Sequence, residues 1–176
     1  MRRLCLLLCI SAVATVLSAS ASAATDVKEA LTALKKFQSG CKAGVSYEQY
    51  NTALETPNRE VKNYFAGGDD KNNPLLSAYI LTALGDYAMA GRLWDDKLKG
   101  GNRTPYISEG DPTWKAFLAS YPNGRSLLDR SMNPARADFS KMLSYVWGEA
   151  AKKISQAASL MPDAKQQAPP GKPKKK

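Results

Sequence analysis

The chain of 176 residues carries 25 basic and 16 acidic side chains, a formal net charge of +9, three cysteines and no histidine. Without His it lacks the commonest metal ligand, the commonest general base and any Ser–His or Cys–His nucleophile pair. Its length suits one domain that buries most of its apolar surface without disulfide staples.

Arg2 and Arg3 open the chain, and the run from Leu4 to Leu17 is apolar apart from Ser11 and Thr15. It falls short of the roughly 20 apolar residues that span a bilayer and dissolves into Ser18-Ala19-Ser20-Ala21-Ser22-Ala23. A charged start, a short apolar run and small residues at Ala21 and Ala23 form the pattern of a cleavable secretory signal peptide over residues 1–23. The expected product is periplasmic or secreted. Cys5 and Cys9 fall inside this leader, which leaves Cys41 as the one thiol of the product and excludes an intrachain disulfide there. Such a thiol is expected to pack as a small hydrophobe. Losing Arg2 and Arg3 from the 25 basic residues leaves 23 against 16 acids, a charge of +7.

Residues 24–162 read as a helical domain. Val27, Ala30, Leu31, Leu34, Phe37 and Cys41 recur at helical spacing, with Thr25 or Asp26 as the expected cap and Gly44 as the stop. Ser46 and Gln49 form a capping box, and Tyr47, Tyr50, Leu54, Val61 and Tyr64 then keep one phase past Pro57. That continuity predicts a single kinked helix from Ser46 to Ala66. Gly67 to Asn73 is a loop without the Gly and distal Glu that a calcium loop requires. Asn73-Pro74 opens a third helix marked by Leu76, Ile80, Ala83, Tyr87, Gly91, Trp94 and Leu98, which ends at Gly100-Gly101. Gly100 to Gly110 has loop composition. Asp111-Pro112 caps a short helix carrying Trp114, Phe117, Leu118 and Tyr121, and Arg125 to Asn133 shows no period. Asn133-Pro134 is expected to open the last helix, whose stripe is Phe139, Met142, Leu143, Val146, Ala150, Ile154, Ala157 and Met161.

No strand-like alternation of useful length is present. The expected fold is therefore all-α, an antiparallel bundle of four principal helices plus one short helix. Residues 163–176 are Gln, Pro and Lys with almost nothing to bury, and are expected to form a disordered basic tail.

No phosphate-binding glycine pattern, zinc spacing or nucleophile elbow occurs, so no metal, cofactor or catalytic residue is expected. The carboxylates Asp86, Asp95, Asp96 and Glu149 offer acid–base chemistry only if the fold gathers two of them in a cleft. Tyr and Trp supply large apolar area with a polar handle. Trp114 and Tyr121, on a small element, are candidates to face a partner, and Tyr87 and Trp94 are candidates to line a cavity between helices. Lys172, Lys174, Lys175 and Lys176 are candidate contacts to polyanions, since each Lys near an anionic surface contributes about 1 kcal/mol. Nucleic acid is not expected, because basic and aromatic residues are not interleaved. The resulting functional expectation is a non-enzymatic envelope protein that binds a protein or an anionic membrane or polymer through its helical surface and basic tail. Its alternatives are a small-molecule binder with an aromatic-lined cavity and a metal-independent enzyme built on helix carboxylates.

Overall fold

Local capping chemistry sets most helix ends in the computed structural model, which describes residues 16–101 and 104–161. Helix α2 (Tyr47–Ala66) starts where the Ser46 hydroxyl accepts from the Gln49 amide and the Gln49 side chain accepts from the Ser46 amide. These reciprocal bonds satisfy two donors that a helix start leaves unpaired. Helix α3 (Pro74–Lys99) starts where the Asn73 side chain accepts from the Leu76 amide. Its Pro74 occupies the first turn, where a missing N–H costs nothing. Helix α4 (Pro112–Ser120) repeats the device with Asp111 accepting from Thr113.

Helix α1 (Val16–Ala43) departs from expectation. It runs unbroken through Thr25 and Asp26, so neither residue caps it. It stops just before Gly44, whose φ of 88° suits a residue without Cβ. Helix α2 passes Pro57 as one element, with Tyr50, Leu54, Pro57, Val61 and Tyr64 buried along a single stripe. Pro57 cannot donate to the Ala53 carbonyl, and the apolar burial on both sides holds the two halves in phase.

Two further expectations are corrected between α3 and the last helix. Three short strands are present: β1 (Tyr106–Ser108), β2 (Leu128–Asp129) and β3 (Arg136–Asp138) form an antiparallel sheet in the order β1-β3-β2. Ile107, Ala137 and Leu128 stand opposite one another across the ladders, and all three are buried. Helix α5 (Phe139–Ser159) does not open at Asn133-Pro134. That pair lies in the connection before β3, and Asp138 is the cap, its carboxylate accepting from the Ser140 and Lys141 amides. The Phe139 amide is in turn satisfied by the Pro105 carbonyl, which ties the helix start to β1.

The four long helices form the antiparallel bundle. α5 packs most extensively on α3, α1 packs on α2, and the α2–α3 and α1–α5 contacts close the ring. Leu34, Tyr50, Ile80, Tyr87, Met142 and Val146 sit at its centre with no exposed surface. Among the described residues no helix is long and apolar enough to cross a membrane. Residues 1–15, where the leader is expected to start, and the expected basic tail of residues 163–176 lie outside the described residues.

Two glycines test the packing in opposite directions. A Cβ on Gly124 would meet the Phe117 ring at 2.4 Å, and Phe117 is fully buried and has nowhere to move. A Cβ on Gly148, in the middle of α5, would meet nothing within 4 Å. Urea unfolding is expected to show Gly124→Ala destabilised by about 1–3 kcal/mol and Gly148→Ala stabilised by about 0.5–1 kcal/mol.

Candidate functional site

Phe37, Tyr50, Tyr64, Tyr87, Trp114, Phe117 and Phe139 are buried in the interior. The Phe37 ring meets Tyr50 at 5.0 Å and Tyr87 at 4.9 Å between centroids, both edge to face, the geometry that ring quadrupoles favour. The Tyr50 hydroxyl donates to the Tyr87 carbonyl at 2.7 Å, which links α2 to α3 inside the core. Burial pushes the phenols of Tyr50 and Tyr87 well above their ordinary range, so both stay neutral. The Tyr87 hydroxyl is buried without a hydrogen-bond partner. Tyr87 is thus a core residue, and the rings around it fill the space that an aromatic cavity would need.

Trp114 is 1% exposed and lies against Phe117, so the expectation that it faces a partner is corrected. Helix α4 is short, but it covers the bundle with its aromatic side. Tyr121 is half-buried, and its hydroxyl donates to Asp86 Oδ1 at 2.7 Å. Burial, and then the Asp86 carboxylate it bonds, raise the Tyr121 phenol far above its usual range. Asp86 Oδ2 is buried and unpaired.

This places Asp86 within the field of Glu149 and Lys153 across the α3–α5 contact. Acid–base chemistry would need two such carboxylates together in one cleft. Glu149, however, is bonded to Lys152 on the outer side, and neither of the grooves described below is lined by Asp86 or Glu149. Asp95 is held below its ordinary range by bonds from Lys99 and from the Tyr47 hydroxyl, and Asp96 is exposed.

Grooves open at the surface of the described residues. One groove of about 360 Å³ runs between α1 and α2 and is lined by Lys36, Phe37, Cys41, Thr56 and Pro57 among others. Burial pushes the Cys41 thiol up to about 12, so the sulfur stays protonated and behaves as a packing group. The second groove, of about 370 Å³, sits at the end of the bundle where the α1–α2 turn meets the C-terminal part of α3 and the start of α5. Its walls include Trp94, Trp147, Phe139, Lys97, Asp138 and Ser144.

Trp94 and Trp147 are both half-buried, and both rest on Tyr50, at ring distances of 5.8 and 6.0 Å. The Trp147 N–H lies near the Tyr50 phenol but makes no bond within ordinary hydrogen-bond limits. Lys97 places its ammonium 5.0 Å from the Phe139 ring centroid. Asp138 is held below its ordinary range chiefly by the Ser140 hydroxyl. Of the candidate site residues, the second groove takes Trp94, beside Phe139 and Leu143 of the α5 stripe. Trp147 is signalled by its position just off the α5 stripe, whereas Asp138 and the α1–α2 turn reach the groove only through the tertiary fold. Lys172, Lys174, Lys175 and Lys176 lie outside the described residues. No family model, curated protein or solved structure matches this chain.

The Asp86 environment sets a pH dependence. Burial is the first cause of its raised pKa, with the Tyr121 bond and Lys153 acting against it and Glu149 adding to it. The folded state therefore binds this proton more tightly than the unfolded chain. Its contribution is fully present below the ordinary carboxylate value of 3.8 and is lost as pH rises through the raised folded value. Asp86→Asn, which keeps an acceptor for Tyr121, is expected to raise the melting temperature at neutral pH, with the gain fading as the medium is acidified. A loss of stability at neutral pH would mean that Lys153 outweighs the desolvation of the carboxylate.

Proposed function

We propose that this chain is an exported, non-catalytic binding protein of the cell envelope that takes its partner on the surface of the bundle. The observation that carries this reading is the pair Trp94 and Trp147, half-buried at the wall of an open groove while the neighbouring rings are locked in the core. Flat aromatic rings in a concave site with a few polar groups are the usual composition of a recognition surface. The basic tail adds a second, unspecific attraction to anionic surfaces. Export rests on the leader pattern of residues 1–23.

The test uses isolated envelope fragments and three forms of the exported protein, whose first residue is expected near Ala24. Fragments should perturb indole emission in the parent protein. Ser144→Arg, which fills the groove from an exposed position of α5, should abolish the effect at every salt concentration. Deleting residues 163–176 should remove only a salt-sensitive part of the affinity, as expected for charges screened over about 8 Å at physiological ionic strength. Association unaffected by Ser144→Arg, or a membrane-bound product that retains Met1, would contradict the proposal.

A further inference from the structure

Resting on the groove reading above, the geometry points to a saccharide as the ligand class of the Trp94–Trp147 groove, a neutral stretch of glycan with one sugar ring set against the indoles. The charge balance of the site favours such a ligand. Lys97 supplies one positive charge and Asp138 one negative charge on the same wall, and the bonds from Ser140 and Lys141 keep Asp138 ionised. A polyanion would meet the Asp138 carboxylate and a cationic ligand would meet the Lys97 ammonium. A neutral polyhydroxylated ligand meets neither penalty and uses both groups.

The polar complement matches as well. Asp138 accepts, Lys97 donates, the Ser140 hydroxyl, whose proton goes to Asp138, accepts, and the exposed Ser144 hydroxyl does either, which is what vicinal hydroxyl groups require. The apolar part of the wall sets the rings of Trp94, Trp147 and Phe139 beside Val45, Pro105 and Leu143, and the negative faces of indoles attract the weakly positive C–H edges that a pyranose presents on its flat side. The groove is also open, so a polymer can lie across it without threading an end.

The experiment titrates the full purified chain with short oligomers of N-acetylglucosamine and, separately, of glucose, reading indole emission and heat. Trp114, buried elsewhere, supplies a constant background. The expected result is saturable binding of at least one neutral oligomer that Ser144→Arg weakens about tenfold or more, with little change on adding salt or on deleting residues 163–176. Trp147→Leu should act in the same direction, and the surface variant keeps the test decisive if that substitution disturbs folding. If no neutral oligomer binds while anionic vesicles shift the emission of the parent chain and not of Ser144→Arg, the saccharide proposal is overturned and the groove reading stands. If Ser144→Arg changes no response at all, both are overturned.

Discussion

The burial of Tyr50 is the constraint on which the rest of the molecule depends. Its ring has no exposed surface, touches Phe37 of α1, and supports Trp94 of α3 and Trp147 of α5. Its hydroxyl is satisfied by the Tyr87 carbonyl. One side chain of α2 thus meets the other three long helices, and its polar atom is not left unpaired in the core, which would cost about 1–3 kcal/mol. The approach is close: a Cβ on Gly91 of α3 would stand 3.4 Å from the Tyr50 ring. The same contact fixes the backs of the two tryptophans that line the end groove, so core and candidate site share one scaffold.

Charge plays a smaller part in holding the fold. The ion pairs Arg59–Glu60, Lys99–Asp95 and Lys152–Glu149 are at the surface, where such pairs contribute little. Asp86 is the exception, a carboxylate drawn into the α3–α5 contact and held by Tyr121. Its position costs stability at neutral pH and recovers it in acid. The charges of the end groove, Lys97 and Asp138, by contrast stand on its wall beside aromatic rings.

The helices were legible because their ends depend on local chemistry. The Ser46–Gln49 box, Asn73-Pro74 and Asp111-Pro112 each act within one turn. The sheet was not legible because strands of two or three residues carry no readable alternation, and their pairing joins segments far apart in sequence. Asn133-Pro134 has the composition of a helix start, but the β3 ladder extends past it and gives the cap to Asp138. Thr25 and Asp26 fail as caps for a related reason, since the Ala- and Ser-rich segment before them continues the helix. Trp114 was misplaced by judging a short helix peripheral, when Trp114 and Phe117 bury its inner face. The groove needs a loop, two helix ends and a strand brought to one place, and no spacing in the chain announces that.

The most direct test of this account is the equilibrium urea unfolding of Tyr50→Ala followed by indole emission. If Tyr50 is the common support of the four helices and of the Trp94–Trp147 wall, the substitution costs about 3–5 kcal/mol, and the native emission of the folded state changes with it. A loss below about 1 kcal/mol, the size expected of a surface substitution or a single neutral hydrogen bond, with native emission unchanged, would contradict it.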